Sequence, residues 1–132
     1  MDMEMLIYSG SLVADPKASD HVAVRLRGNT DIWGIQMRLD SLPPDGQWKL
    51  YAAVRVDPGS GTKQDRAMSL GVHPGVAPIH LKLTDLGDAE YHTIELPGVH
   101  RHDAGRVLWF APPNSDAVTA IFVDRVFAIR QP

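Results

Sequence analysis

The chain contains no cysteine, so neither a disulfide nor a thiolate metal site is open to it. That absence fixes no compartment, because many secreted domains also do without cysteine. No apolar run approaches the roughly 20 residues that span a bilayer, and the start, Met1 to Met5, is acidic where a secretory leader would be positive. Basic charge is not in excess either. Thirteen Lys and Arg against 16 Asp and Glu give a formal net charge of -3, without the cationic face that a phosphate backbone requires. Neither nucleic acid nor a membrane is therefore an expected partner. Long helical patterns are missing as well, because ten prolines and eleven glycines divide the 132 residues into short runs.

What is present is alternation. From Gln47 to Asp57, Trp48, Leu50, Ala52, Val54 and Val56 fall on one side, while Lys49, Tyr51, Arg55 and Asp57 fall on the other. That is the period of a strand half-buried in a sheet. His21 to Arg27 repeats it with Val22, Val24 and Leu26, and Trp33 to Leu39 with Trp33, Ile35, Met37 and Leu39. Between these two, Gly28-Asn29-Thr30-Asp31 reads as a hairpin loop. Pro43-Pro44-Asp45-Gly46 is a turn signal, and Asp57 to Asp65 a surface connection. Short strands are expected around Met68 to Val72 and Ile79 to Leu83, one helical turn at Leu86 to Ala89, and a weaker strand at Tyr91 to Leu96. Arg106 to Phe110 and Val118 to Ile129 are rich in branched and aromatic residues. Asp124 and Arg125 interrupt the second run, which predicts a kink, a bulge or an edge crossing there. About eight to ten short strands with turn signals between them predict one all-β domain over residues 1–132, a two-sheet antiparallel β-sandwich of jelly-roll type. Its core should hold Trp48, Leu50, Val54, Leu70, Leu81 and Phe122 or its neighbours Ile121 and Val123.

If Trp33 to Leu39 and Gln47 to Asp57 are neighbours in one sheet, Gln36, Arg38, Tyr51 and Arg55 emerge on the same outer face. A tyrosine can stack on a sugar ring, and a guanidinium can grip a carboxylate through two parallel hydrogen bonds. The set therefore points to a glycan, with a preference for an acidic one such as a uronic acid; the competing reading is an ordinary solvated face. Trp33, Trp48 and Trp109 follow the apolar parity of their strands and are expected in the core. Trp33, beside the Gly28 to Asp31 loop, is the exception that could serve as a sugar platform. His100-Arg101-His102 would place two imidazoles on one side of a strand, as in metal-binding cupins, but no glutamate follows. No spacing pairs Asp85, Asp88, Glu90, Glu95 or Asp103 as glycosidase carboxylates, and Ser9-Gly10-Ser11 lacks the context of a nucleophile elbow. A binding module, not an enzyme, is the expectation.

Four stretches carry a resemblance: Asp15-Pro16-Lys17-Ala18-Ser19-Asp20; Trp48 through Val56; Tyr91-His92-Thr93-Ile94; and Leu108-Trp109-Phe110-Ala111-Pro112 followed by Val123-Asp124-Arg125-Val126-Phe127. In this order they resemble the C-terminal sandwich module of alpha-glucuronidase-like bacterial glycoside hydrolases, which has the galactose-binding-like fold of many carbohydrate-binding modules. The resemblance runs from about Asp15 onward. It implies a non-catalytic module that binds a polysaccharide or oligosaccharide and tethers an attached catalytic domain, secreted or periplasmic as part of a larger protein, with no signal peptide in this chain. Such modules often carry a structural calcium between the N-terminal segment and the last strand. Here Glu4, Asp15, Asp20 and Asp124 are the acids that would supply it. Asp124 leads, because a carboxylate inside an apolar strand is costly unless a cation or donor satisfies it. The alternatives are an accessory domain that packs on a catalytic domain without binding sugar, and a cupin-like metalloenzyme.

Overall fold

The computed structural model describes residues 1–30 and 32–132, and the alternating runs form ten strands in it. These are β1 (Leu6–Ile7), β2 (Ser11–Ala14), β3 (Val22–Arg27), β4 (Ile35–Arg38), β5 (Trp48–Pro58), β6 (Arg66–His73), β7 (Ile79–Lys82), β8 (His92–Glu95), β9 (Val107–Ala111) and β10 (Val118–Arg130). Helix is confined to a 3-10 turn at Leu39–Ser41 and one α-helical turn, α1 (Leu83–Leu86), among the described residues. Two five-stranded antiparallel sheets result. The first runs β1-β4-β9-β6-β7 and the second β2-β3-β10-β5-β8, which is the expected sandwich.

The core lies between the inner faces. Ile35 and Met37 of β4, Leu70 and Val72 of β6 and Leu108 and Phe110 of β9 meet Leu50, Val54 and Val56 of β5 and Ile121 and Val123 of β10 there. Trp48 and Leu81 belong to the same cluster, whereas Phe122 points outward from the second sheet. Each inward side chain sits two residues from the next, so a slip of one residue would expose the whole set and the register is strongly specified.

Two local expectations change. β3 and β4 lie in different sheets, so the chain crosses between sheets after Arg27 and the two strands do not close a hairpin; Asp31, part of the expected hairpin, is outside the described residues. Glycine at 28 suits the crossing, because a Cβ there would stand 1.9 Å from the Val118 carbonyl oxygen. The helical turn sits at Leu83–Leu86, before the expected position, because Leu83 and Leu86 are both buried and the Asp85 carboxylate accepts the Lys82 backbone N–H at 2.9 Å. Strands β1 and β2, short and largely exposed, had no clear sequence pattern. The interruption in the last run is a bulge: Val123 pairs with Val54 and Arg125 with Ala53, leaving Asp124 as the extra residue. Beyond it Val126 and Ala128 again face the core, and Arg125, Phe127 and Ile129 take the outward parity.

Candidate functional site

On the outer face of the first sheet, Trp109 points away from the core while its neighbours Leu108 and Phe110 are in it. It is flanked in register by Gln36 on β4 and Gly71 on β6. Gly71 is what lets the indole lie down: a Cβ there would come within 3.1 Å of Trp109 Cζ2 and of Pro78 Cα. Trp33, at the end of the crossing segment, stacks on Trp109 with ring centroids 4.6 Å apart and planes 5° from parallel. His73 closes one side, its ring 5.2 Å from that of Trp33 and tilted by 59°. The Gln36 side-chain amide donates to the Trp33 carbonyl at 3.1 Å, which holds the segment's backbone over the sheet. Trp109 is thereby only 7% exposed, and Trp33 remains 39% exposed. A rigid, solvent-facing indole results, anchored by a second one.

The second sheet's outer face is different. Arg55 has the outward parity of β5, yet it is buried, because residues 15–21 fold over it. Its Nε and Nη2 donate to Asp15 Oδ2 at 3.3 and 3.0 Å, its Nη1 pairs with Asp57, and its guanidinium lies 3.9 Å from the Phe122 ring centre. The Tyr91 hydroxyl donates to the same Asp15 oxygen at 2.7 Å. Ala18, Ala23, Ala120 and Phe122 form a small second core around this network. The flap is pinned by the Ser19 N–H and hydroxyl, which donate to the Asp124 carboxylate at 2.9 and 3.1 Å, and by Lys17 Nζ, 3.0 Å from Glu90. Burial opposes ionisation of Asp15, but the Tyr91 hydroxyl, the Lys17 N–H and the Arg55 guanidinium outweigh it and hold the carboxyl below its ordinary range. Burial likewise works against the Arg55 charge, and the bonds to Asp15 and Asp57 overcome it.

The shared ligand face expected for Gln36, Arg38, Tyr51 and Arg55 does not form. The first two emerge from the first sheet and the last two from the second, on opposite sides of the sandwich. Arg38 is paired with Asp40, and Arg55 is spent on Asp15 and Asp57. Tyr51 lies flat against Phe127, with centroids 5.2 Å apart, and donates its hydroxyl to Glu95 at 2.9 Å. Trp48 is in the core as expected; Trp109 is covered but on the outer face; Trp33 is the exposed exception. Sequence reasoning missed His73 and Gly71 at this place, although a glycine inside a strand is a known mark of close approach.

Of the acids named for calcium, Asp20 and Asp124 line one cleft together with Asp2, but Asp15 and Glu4 are not on its walls. Calcium takes six to eight oxygen ligands, yet no group of three or more His, Asp or Glu side chains among the described residues is placed to hold a metal ion. Asp124 is occupied by Ser19, Asp15 by Arg55 and Tyr91, and Asp20 accepts the Val22 N–H at 3.3 Å, while Glu4 is exposed. The bulge residue is thus a bonded acid that ties down the flap. The imidazoles of the cupin-like motif do not share a strand face. His100 is buried and lies 3.2 Å from the Pro97 carbonyl oxygen, and His102 lies 2.7 Å from that of Leu42.

No family model matches the chain, and no curated protein sequence matches it. Solved structures do. A family 35 carbohydrate-binding module from Clostridium thermocellum is similar with a TM-score of 0.61 at 16% identity, over 94% of this chain and 90% of that one. The N-terminal CBM22-1 and GH10 modules of a Clostridium thermocellum endo-1,4-beta-D-xylanase, solved with xylohexaose, give 0.61 at 11% identity; the match covers 99% of this chain and 28% of that two-module chain. A family 61 module solved with beta-1,4-galactotriose gives 0.55 at 15% identity, covering 96% and 88%. At these identities the likeness is one of fold.

Proposed function

We propose that the chain is a non-catalytic carbohydrate-binding module and that Trp33, stacked on Trp109, is its sugar platform. The observation that carries this is the exposed indole held parallel on a second, covered indole at the outer side of the first sheet. A pyranose ring presents C–H patches that pack on an aromatic face, and a platform already fixed by stacking loses little freedom when sugar arrives. One solved neighbour of the same fold was determined with beta-1,4-galactotriose, and a two-module chain that includes another was determined with xylohexaose, which supports a glycan as ligand while leaving its identity to the side chains of this chain. The site is open, so affinity should be modest, with dissociation constants from micromolar to millimolar, about 4 to 8 kcal/mol. Joined to a polysaccharide-degrading enzyme, an alpha-glucuronidase-like one by the resemblance above, the module would act by raising that enzyme's effective concentration at its substrate, in an exported setting.

Titration calorimetry with xylo- and galacto-oligosaccharides tests this. Binding by the wild type and its loss in Trp33→Ala, with the fold retained, is the expected result. Wild-type affinity in Trp33→Ala would remove the platform from the site. Failure of the wild type to bind any neutral or acidic glycan would favour the accessory domain that packs on its neighbour without sugar.

A further inference from the structure

The acidic-sugar preference expected from Arg38 and Arg55 loses both residues to internal partners. Two other arginines stand ready. Arg25 and Arg27 lie on β3 with the outward parity, since Val24 and Leu26 between and beside them are in the main core. Neither forms an ion pair among the described residues, whereas Arg38, Arg55, Arg106 and Arg125 all do. Arg66, Arg101 and Arg130 also lack one, but each stands on a separate segment. Two residues apart on one strand face, Arg25 and Arg27 are separated by about 7 Å along the chain.

Both arginines line two adjoining clefts. One, of about 560 Å³, lies towards Asn29 and Thr119; the other, of about 370 Å³, lies towards Ser11. Asp116 is the one carboxylate on these walls among the described residues. Asp15 and Asp57 are engaged by Arg55. The clefts therefore combine two unpaired guanidinium forks with hydroxyl and amide groups, which is the chemistry that recognises a planar or tetrahedral oxyanion on a hydroxylated ligand.

We propose that the Arg25–Arg27 cleft is a second binding site, for an anionic sugar unit carrying a carboxylate or a sulfate ester, separate from the Trp33 platform on the other sheet. It rests on the glycan-binding reading only for what the anion is attached to. A module so built would hold an acidic polymer at one face and a neutral stretch at the other, and simultaneous engagement would raise avidity without further contacts.

The test is calorimetry of the chain with an oligogalacturonate, a sulfated galactan oligosaccharide and neutral xylohexaose, at low and high salt, for the wild type and Arg25→Gln/Arg27→Gln. Glutamine keeps most of the side-chain stem, and an unchanged melting temperature establishes that the variant is folded. The wild type is expected to bind one of the two anionic probes, more weakly as salt rises, and the double variant to lose about tenfold or more of that affinity. The probe that binds says whether the anion is carboxylate or sulfate. Xylohexaose binding should be the same in both proteins. An anionic affinity unchanged in the double variant, or a wild type that binds neither anionic probe, overturns the proposal. A wild type that binds neither xylo- nor galacto-oligosaccharides but binds an anionic probe through the arginines overturns the Trp33 platform and leaves this site standing.

Discussion

The two outer faces of the sandwich start from the same pattern and end differently. On the second sheet an outward-pointing arginine is buried beneath residues 15–21, with its charge matched by Asp15 and Asp57. On the first, the segment before β4 lays Trp33 over Trp109, and Trp33, an apolar residue, is itself left facing solvent. Strand parity says which side of a sheet a residue occupies, but not whether that side is wet. That second question is answered by the connections, because one folds over a face as a flap and the other crosses between sheets carrying an indole with it.

The largest expected effect follows from the covered face. Arg55→Ala leaves the Asp15 carboxylate without its cation in a small apolar cluster, and removing one partner of a buried pair typically costs about 3 to 5 kcal/mol. Arg38→Ala, on the open face, removes an arginine from an exposed pair and should cost about 0 to 1 kcal/mol. Urea unfolding of the two variants measures the contrast directly. Similar losses in both would mean that the flap does not shield Arg55 as described.

Next in size is Gly71→Ala. Its new methyl would meet Trp109 Cζ2 and Pro78 Cα at 3.1 Å, closer than comfortable packing allows. Overpacking of this kind costs about 1 to 3 kcal/mol. Because Trp33 rests on the displaced ring, the substitution should also weaken glycan binding, which Arg55→Ala should not do in protein that remains folded. Denaturation and calorimetry on the same variant separate the two effects.

The faces should also differ in their response to acid. On the first, burial and the nearby Arg66 hold His80 below its ordinary 6.5; burial does the same for His100, which is off that face and bridged to Trp48 on β5 of the second sheet. The unfolded chain takes up these protons first, so their contribution is complete above pH 6.5 and is lost as the pH falls below it. On the second face, Asp15 is held below 3.8, so its contribution is present above that value and is lost as the pH falls through the lower, folded one. Melting temperature should therefore fall in two stages on acidification, with the second stage reduced in Asp15→Asn.

The sandwich was legible because hydrophobic alternation is a local signal with a single solution: Leu50, Val54, Leu70, Leu81, Ile121 and Val123 could be buried together only between two sheets. Asp124 was legible as an interruption for the same reason. The ligand face was not, because placing Gln36 and Tyr51 together required knowing that two consecutive strands pair, and β3 to β5 alternate between sheets. Nor does alternation reveal that residues 15–21 lie on Arg55, a contact across 40 residues of chain. Trp33 could be named as an exception because it sits at the end of a strand pattern next to a glycine-containing connection, where parity constrains a side chain least.

The smallest expected effect concerns Asp124, which joins the flap to the last strand of the covered face. As a calcium ligand it would make stability depend on free metal, since an ion that binds only the native state raises its melting temperature. As a bonded acid it would not. Both Asp124 oxygens already accept from Ser19, and the other acids named with it are engaged elsewhere or exposed, so excess chelator should leave the melting temperature unchanged. Asp124→Ala would still remove two hydrogen bonds at an exposed site, about 1 kcal/mol in stability. The loss should be local, appearing first as faster amide exchange at Ser19 and along residues 15–21, because global unfolding is limited by the main core beneath. A drop in melting temperature on chelation that added calcium reverses, and that Asp124→Ala abolishes, would instead make this bulge a metal site and the flap its product.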